Sequence, residues 1–540
     1  EREIVSTNDG LYRYLESLSR GREATPRSWL YDGHNSAKMQ PDDILDAWMS
    51  KLSALKNGTD FEQRVFQFDA SQLEKWGPQG EVAPIAELMG IVEEGYKLAE
   101  QAEPKIFSSE DWQFAVELVG KDLAHVTGGA LRPASYQRVV DDMRARDTLE
   151  SNSGWPLFSR RNDPSVIAST IRDAEGGTWK EYPAIALFRN YNQKTRLVWM
   201  FPMATNIVEG SFFQPLQSAI IASKNRPREV APWVGFEECR AMISNVYHYP
   251  LEKLQAYIAA SDFSSTDAHF TKHHTYQVYL AIRHCFQKKY WDALLESMMH
   301  LHSIPLIVGV DDKITGEHGV SSGSNWTNFI ETVFDMILGT YVDMQTQLGQ
   351  ATENYMSHDR VWHANCLYAI GDDMSWYCDW WNPEFANQLQ DIGEQVGQVI
   401  KAEKTTNELD WVKSLQRLFQ RGYDRPDGLT RAVYSTVRAL KSSVYPERFH
   451  RPKDWSKDMF CARQFMILEN CVDHPLFEEF VKFICAGNAH LPEFAKLSSR
   501  ELDKVTRETT LLPGFNPTYN QERRDQSLYK FQSIRIPREL

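Results

Sequence analysis

The stretch CLYAIGDDMSWY, residues 366–377, decides the fold that we predict for this chain. Two apolar runs, 367–370 and 374–377, stand on either side of Gly371-Asp372-Asp373. Apolar runs joined by a short turn are typical of a β-hairpin, and Gly and Asp are ordinary turn residues. The pattern fits a plain surface turn as well as a metal site, so the rest of the sequence has to decide between them.

A second acidic segment, DFSSTD at residues 262–267, follows an apolar run that we predict to be a strand. If that strand pairs beside the hairpin, Asp262 and Asp372 can face each other. Clustered carboxylates raise one another's pKa unless a cation neutralises them. Mg²⁺ prefers one or two carboxylates together with phosphate oxygens and water. Two such ions, about 3.5–4 Å apart, stabilise the attacking and leaving oxygens of a phosphoryl displacement, so these segments together predict nucleotidyl transfer.

Positive charge for holding phosphates has to be local, because the chain of 540 residues carries a formal net charge of −14. A protein that coats nucleic acid is normally basic, whereas a channel can concentrate cations within an acidic total. The segment RNYNQKTR supplies Arg189, Lys194 and Arg196 without an intervening acid. Segment 413–454 is also rich in Lys and Arg, and solvated helix faces explain it as well as an RNA channel does.

The composition, with 42% hydrophobic and 24% charged residues, predicts a soluble globular protein of several subdomains. No apolar run approaches the roughly 18 residues of a membrane span, and the first residues lack the apolar region of a secretory signal. Seven cysteines without a CxxC pair favour reduced, buried thiols in a cytosolic setting.

Helical patterns dominate the chain, and the few predicted strands cluster in its middle. Helices are predicted at 41–55, 271–286, 327–341 and 382–404, and a strand at 196–202. Strands surrounded by helices, without a regular βα alternation, predict an α+β fold that is mainly helical.

Taken in chain order, the motifs resemble those of viral RNA-dependent RNA polymerases. Ser153-Gly154-Trp155-Pro156 resembles motif G, which guides the template, and RNYNQKTR resembles the basic motif F. DFSSTD is similar to motif A, D-x4-D. The Ser-Gly-x3-Thr pattern at 322–327 is similar to motif B, and Gly371-Asp372-Asp373 matches motif C.

Lys404 stands where motif D places a lysine, and SLQRLFQRGYDRP at 414–426 resembles motif E. A finer resemblance is to polymerases of double-stranded RNA viruses of the partitivirus and picobirnavirus kind. It rests on RLVWMFP at 196–202, EGSFFQPL at 209–216, GVSSGSNWT at 319–327 and LKSSVYPERF at 440–449. Of the two groups, the GDDM form and the chain length favour picobirnavirus.

The resemblance implies a right-hand polymerase with fingers, palm and thumb, an antiparallel palm sheet and a closed, encircled form. The implied parts are an N-terminal segment bridging fingers and thumb (1–65), fingers (66–250), palm (251–302), a fingers insertion (303–318), palm (319–425), and thumb with C-terminal tail (426–540).

The resemblance also implies a role for each matched residue near the reacting phosphate. Asp262 and Asp372 would ligate both metals, and Asp373 would assist more weakly. The backbone carbonyl of Phe263 would complete a metal site. Lys404, or Lys401 in its place, would give a proton to the leaving pyrophosphate.

Other matched residues would hold the nucleotide and the template. Asp267 and Ser322 would read the ribose 2′-OH, which separates RNA from DNA precursors. Gly323 and Thr327 would place the template base and the nascent pair. The residues that would hold the triphosphate are Arg189, Lys194 and Arg196, and those that would guide the template are Ser153, Gly154 and Pro156.

One nucleotide-binding position departs from the usual pattern. Many positive-strand polymerases have Asn four residues after the motif B threonine, where this chain has Glu331. Glu331 beside Asp267 creates like-charge repulsion, unless one of the two carboxyls is protonated or a basic partner intervenes. We therefore expect recognition of the 2′-OH to use a different set of hydrogen bonds.

The implied enzyme is an RNA-directed RNA polymerase that uses Mg²⁺, or Mn²⁺, and NTPs to replicate and transcribe a double-stranded RNA genome. Its expected partners are the RNA template, the product duplex and a viral capsid protein, without a membrane. We expect a monomer inside the virion and in the host cytoplasm.

Two alternatives fit the sequence less well. A reverse transcriptase shares the paired aspartates but normally has a bulky residue at the position of Asp267, to exclude the 2′-OH. A non-catalytic RNA-binding protein associated with the capsid would explain the aromatic and basic content, but not the ordered motifs.

Overall fold

The computed structural model describes residues 1–28, 39–146, 148–248, 256–353, 364–449, 455–510 and 526–540, without the side chains of 347–353. The α-helices of this part of the chain are α1 Arg2–Thr7, α2 Asp9–Ser17, α3 Pro41–Leu52, α4 Asp60–Ser71, α5 Ile85–Leu98, α6 Glu110–Thr127, α7 Tyr136–Ala145, α8 Pro164–Gly176, α9 Met203–Ala222, α10 Ala231–Val234, α11 Phe236–Tyr247, α12 Thr266–His269, α13 Lys272–Ile282, α14 Trp291–His300, α15 Trp326–Glu353, α16 Phe385–Gln395, α17 Thr436–Val444, α18 Lys457–Glu469, α19 Phe477–Ala486, α20 His490–Ala495, α21 Ser499–Thr510 and α22 Gln532–Arg538. The strands are β1 Ala184–Tyr191, β2 Lys194–Met200, β3 Tyr257–Asp262, β4 Leu306–Ile307, β5 Lys313–Ile314, β6 Ala364–Ile370, β7 Asp373–Cys378, β8 Thr406–Asn407, β9 Trp411–Ser414 and β10 Arg417–Gln420.

The central sheet has the strand order β6-β7-β3-β8, and all its pairings are antiparallel. Tyr257 and Ala259 of β3 lie in one apolar core, and Ile258 and Ala260 lie in another. This alternation follows from the two-residue period of a strand that is covered on both faces. Asp262, the last residue of β3, is exposed, so the buried strand delivers its acid to the sheet edge.

Helix α15 packs along β6 and holds the β6–β7 hairpin in place. The two approach closely at Gly339, where an added Cβ would lie 2.5 Å from the Cβ of Cys366. Near the start of α15, the Thr332 hydroxyl accepts a hydrogen bond from the backbone N–H of Gly371 at 3.0 Å. The predicted helix at 327–341 and the predicted hairpin at 366–377 are both confirmed.

A second sheet has the order β2-β1-β4-β5 and contains the hairpin of β1 and β2. Asn192 and Gln193 form its turn with φ angles of +55° and +61°. Positive φ at both central residues matches the right-handed twist of paired strands, and Asn tolerates it well. The strand predicted at 196–202 is thus confirmed as the greater part of β2, which begins two residues earlier.

The N-terminal helices are anchored in two different apolar cores. Leu11 and Leu15 of α2 pack in the core that contains α6, α13 and α15. Trp48 of α3 and Phe68 of α4 pack with the C-terminal helices α17 to α22. The C-terminal helix α22 is fixed there as well, because the backbone N–H of Ser533 donates to the Glu469 carboxylate at 3.0 Å.

The helix predicted over 382–404 is wrong beyond Gln395, where α16 ends. Gly397 adopts a φ of +75°, a left-handed conformation that Gly takes without strain and that turns the chain out of the helix. The chain then forms an isolated bridge between Ile400 and Phe263 and a 3₁₀ turn over Ala402–Lys404. This turn brings Lys404 back to the sheet edge.

Solvated helix faces do not account for the described part of the basic segment 413–454. Arg421 donates to the backbone carbonyls of Tyr247 and Ala256 at 3.0 and 2.6 Å. Arg425 pairs with the buried Asp473. Arg451 and Lys453 of this segment lie outside the described residues.

All seven cysteines are buried and none forms a disulfide, as predicted. None of the described helices combines the length and the apolarity needed to cross a bilayer.

Candidate active site

The acids of two distant segments meet at one edge of the central sheet. Asp262, which ends β3, is the direct register partner of Asp373, which begins β7. Ile370 pairs with Asp373 across the hairpin, so Gly371 and Asp372 form the turn. Gly371 has a φ of +56°, a conformation that residues with side chains rarely adopt. Strand register therefore places two acids side by side, with the third at the adjacent hairpin tip.

These three acids open onto a cavity of about 340 Å³. The same cavity is lined by the basic residues Lys75, Lys404, Lys413 and Arg438. The two acidic segments thus meet at one cavity, as predicted, and basic side chains line the same space.

Partial loss of hydration at the cavity raises the pKa of all three carboxyls, and repulsion from other acids adds to this effect for Asp372 and Asp373. Burial, followed by repulsion from Asp372, raises the pKa of Asp373 to about 7. Burial and the charge of Asp267 raise the pKa of Asp372. Burial also raises the pKa of Asp262, although the neighbouring lysines lower it. A cation bound beside these carboxyls would favour their ionised forms.

Two further carboxyls lie behind the site on α15. Glu331 and Asp335, one helical turn apart, are each 4% exposed. Burial and the charge of Asp267 raise the pKa of Glu331 far above its usual range. Burial and the charges of Asp372 and Asp373 do the same to the pKa of Asp335. Sequence reasoning missed Asp335, whose signal was a single acid in the otherwise apolar run 333–338, four residues after Glu331.

The predicted repulsion between Glu331 and Asp267 is relieved by a proton. Their side chains share a hydrogen bond, which two ionised carboxylates cannot form. Burial and the charge of Asp267 raise the pKa of Glu331, which favours the protonated form of Glu331 in this pair. The pair therefore presents a donor and several acceptors in place of the usual amide.

The acidic wall fits a hard divalent cation such as Mg²⁺ or Mn²⁺, because Asp262 and Asp372 offer carboxylate oxygens to the cavity. Among the described residues, no three His, Cys, Asp or Glu side chains form a ready-made ligand set. Mg²⁺ usually binds through one or two carboxylates and completes its shell with water and phosphate oxygens. The donor set therefore suits ions that share their coordination with a triphosphate. The carbonyl contact of Phe263 stays a prediction.

Three of the predicted lysines, Lys404, Lys401 and Lys194, lie near enough to Asp262 to lower its pKa. Burial raises the pKa of Asp262, and among the charges that oppose this effect Lys404 acts most strongly, ahead of Lys401 and Lys194. Lys404 also lines the cavity. The structure thus favours Lys404 over Lys401, since Lys404 acts more strongly on Asp262 and lines the cavity.

The two predicted arginines are already engaged within the protein. Arg189 donates two hydrogen bonds to the Glu447 carboxylate, at 2.8 and 2.9 Å. Arg196 lies 4.0 Å from the ring centre of Tyr191 and donates to its backbone carbonyl at 3.0 Å. A triphosphate contact by Arg189 therefore requires release of Glu447, and this contact stays a prediction.

Lys75 and Arg438, which the motifs did not include, belong to the basic wall, which is the set of cations that line the cavity, and Lys441 lies near both. Lys75 ends the 3₁₀ turn Gln72–Lys75 and lines the cavity together with Arg438. Arg438 and Lys441, on α17, are 5% and 4% exposed. Burial, followed by the charge of Arg438, lowers the pKa of Lys75 to about 8 and that of Lys441 to about 7. Crowded, buried cations of this kind favour a bound anion.

The residues predicted to place the nucleotide shape the loop before α15. At Gly323 an added Cβ would lie 1.6 Å from the carbonyl oxygen of Trp199, so no side chain fits there. The Ser322 hydroxyl accepts a hydrogen bond from the Trp199 N–H at 3.3 Å. The Thr327 hydroxyl donates to the Ser321 carbonyl at 2.6 Å. Their contacts with ribose and base stay predictions.

The residues predicted to guide the template form a tight loop beside α9. Ser153 is buried, and its hydroxyl accepts from the Ser159 N–H at 3.1 Å. Gly154 has a φ of +67°, and an added Cβ would lie 2.6 Å from the Phe201 carbonyl oxygen. Pro156 is half-buried. Ser153 supports this loop from inside, and template contact by the three residues stays a prediction.

Comparison with known proteins agrees with this geometry. Residues 191–427 match the family model described as viral RNA-dependent RNA polymerase. A potential RNA-dependent RNA polymerase of human picobirnavirus (strain Human/Thailand/Hy005102/-) is 26% identical over 504 residues, which cover 89% of this chain and 85% of that protein.

Solved structures show the same fold. The crystal structure of the RNA-dependent RNA polymerase of a human picobirnavirus superimposes with a TM-score of 0.75 at 21% identity, covering 98% of this chain and 97% of that one. Its insertion-loop deletion mutant gives a TM-score of 0.73 at 22% identity, with 93% and 94% covered. The predicted mixture of helices and antiparallel sheets is confirmed. Residues 191–427 thus match the viral RNA-dependent RNA polymerase family, and the chain as a whole is similar to polymerases of the picobirnavirus type.

Proposed function

We propose that this polymerase transfers nucleoside monophosphates from NTPs to an RNA 3′-OH by two-metal-ion catalysis, and so replicates and transcribes a double-stranded RNA genome. The observation that carries the proposal is the register pairing of Asp262 with Asp373 beside Asp372, at a cavity that is also lined by cations. Asp267 at the position where reverse transcriptases exclude the 2′-OH favours RNA synthesis over DNA synthesis.

Asp262 and Asp372 would hold two Mg²⁺ or Mn²⁺ ions. Asp373 is half-buried and accepts a hydrogen bond from the Leu415 N–H, which leaves it less free to act as a ligand. Ions bound there would supply Lewis-acid stabilisation to the attacking and leaving oxygens. The weaker role expected for Asp373 follows from its engagement with the protein.

The basic wall would hold the triphosphate of the incoming nucleotide. Lys194 lies near enough to Asp262 and Asp372 to lower the pKa of both, against the effect of burial. Lys75 and Arg438 face the same cavity. Lys404, beside Asp262, is placed to donate a proton to the leaving pyrophosphate. Preorganised cations around a developing negative charge are the main means by which such sites accelerate phosphoryl transfer.

The hydrogen-bonded pair of Asp267 and Glu331 would select the sugar. A carboxyl pair that shares one proton can accept from and donate to a ribose 2′-OH. The neutral Glu331 thus replaces the donor that an Asn supplies in many positive-strand polymerases.

We assign the central sheet to the palm, the core of α17 to α22 to the thumb, and the helices around the second sheet to the fingers. The boundaries follow the ranges given by the sequence. The anchoring of α2 and of α3 with α4 in separate cores supports a bridge between fingers and thumb, and with it a closed form. The proposal also includes an RNA template and product duplex and a capsid protein as partners. It further includes a monomeric state and a location in the virion and host cytoplasm.

Asp372→Ala should lower RNA synthesis by about a thousandfold or more, because it removes a ligand of both ions and their charge stabilisation. The measurement is primer-free incorporation of labelled NTPs on a short defined RNA with Mg²⁺. Asp391→Ala, which removes an exposed acid of α16, should keep wild-type activity. Full activity of Asp372→Ala would contradict the two-metal assignment.

Lys194→Ala should raise KM for NTP by about tenfold with a smaller change in kcat, because the lysine binds the triphosphate in ground state and transition state alike. Steady-state kinetics at saturating template measure both constants. The control Lys224→Ala removes an exposed lysine that follows α9, and it should change neither KM nor kcat. An unchanged KM in Lys194→Ala would show that other cations hold the triphosphate.

Asp267→Ala should reduce the preference for NTPs over dNTPs, because it removes an acceptor for the 2′-OH. Glu331→Gln should keep the preference, since an amide can donate to Asp267 as the protonated acid does. Competition between an NTP and the matching dNTP measures selectivity in both variants. If Asp267→Ala selects as the wild type does, the sugar is read elsewhere.

A further inference from the structure

Glu209 is a buried acid of α9, 1% exposed, that no motif assigns to the site. Its Oε1 accepts from the Asn206 side-chain amide at 3.0 Å and from the Asn325 N–H at 3.1 Å. Its Oε2 accepts from the Ser324 hydroxyl. Burying a carboxyl is costly unless hydrogen bonds compensate. The bonds from Ser324 and Asn325 therefore fix the 321–327 loop against α9, and the bond from Asn206 lies within the helix.

The same set of side chains reaches the loop that contains Ser153. The Arg161 guanidinium donates to the Asn206 side-chain oxygen at 3.0 Å and to the Asn152 carbonyl at 3.1 Å. The Asn206 amide also donates to the Gly323 carbonyl at 3.3 Å. A continuous series of hydrogen bonds thus joins the 151–161 loop to the 321–327 loop.

Ser324 also links Glu209 to helix α15, which supports the β6–β7 hairpin. The Ser324 hydroxyl accepts from the N–H of Trp326, the first residue of α15, at 3.0 Å. Within two turns of that residue, Thr332 holds the N–H of Gly371 at the hairpin tip. A shift of Glu209 would therefore reach both the loop and the start of the helix that supports the aspartates.

We propose that Glu209 is a positioning residue that couples the 151–161 loop to the 321–327 loop, through Asn206 and Arg161. This inference rests on the proposed function, which gives the first loop to the template and the second to the incoming nucleotide. Occupancy of one loop then favours the bound position of the other, and the two ligands bind cooperatively.

The coupling depends on hydrogen-bond geometry more than on full negative charge. Burial raises the pKa of Glu209 to about 7, although Ser324, Asn206, Asn325 and Arg161 lower it. An amide at this position keeps an oxygen that can accept from Asn206 and Asn325, and its NH2 group can donate to the Ser324 hydroxyl, which reverses the direction of that bond. Glu209→Gln is therefore the conservative variant, and Glu209→Ala removes all three bonds.

The test measures the Kd of a short template RNA with and without a complementary α,β-methylene NTP, which binds without reacting. In the wild type the nucleotide should tighten RNA binding by about tenfold, and linkage requires the RNA to tighten nucleotide binding equally. Glu209→Ala should lose this coupling, and Glu209→Gln should keep it within about threefold. Ser324→Ala, which removes one bond only, should lose part of it.

The matched control is Glu469→Ala, since Glu469 is a buried acid of α18 that accepts from the N–H groups of Gln532 and Ser533. It should lower thermal stability and leave the coupling intact. Coupling that persists in Glu209→Ala and Ser324→Ala, or that is absent in the wild type, would overturn the proposal. Failure of the wild type to make RNA at all would instead refute the proposed function.

Discussion

The antiparallel pairing of Asp262 with Asp373 is the constraint on which the rest of the site depends. Paired residues in an antiparallel ladder have Cα atoms about 4.5–5.5 Å apart, so their carboxyls cannot separate without loss of the strand pairing. The sheet withstands the repulsion because apolar cores cover both of its faces. The strand pairing therefore holds the acids so close that their ionised forms are disfavoured. A bound cation would stabilise those ionised forms.

The cations that balance these acids come from distant parts of the chain. Lys75 follows α4, Arg438 and Lys441 belong to α17, and α4 and α17 share one apolar core. The packing of N-terminal helices against C-terminal ones thus brings Lys75 and Arg438 to the cavity at the sheet edge. An acidic protein can in this way present a local positive surface to a triphosphate.

The sequence allowed the acidic site to be predicted, because strand period, turn residues and paired acids are local patterns. The hairpin at 366–377 and its approach to Asp262 follow from such patterns together with the resemblance. Lys75 and Glu209 could not be found in this way, since their roles arise from packing between segments far apart in the chain. The early end of α16 depends on Gly397, a single glycine whose left-handed conformation ended a convincing helical pattern.

Tertiary packing also decides which hydrogen-bond partners the predicted residues have within the protein. Arg189 is bound to Glu447, and the Ser153 hydroxyl lies inside its loop. Motif resemblance identifies such residues but does not show which partner they hold in the protein alone.

The most direct test of the account is Mn²⁺ binding, measured by electron paramagnetic resonance in the presence of template RNA and an α,β-methylene NTP. The account predicts two bound ions per chain in the wild type and loss of both from Asp262→Asn and from Asp372→Asn. Equal stoichiometry and affinity in the wild type and in both variants would contradict the claim that the paired strands build the metal site.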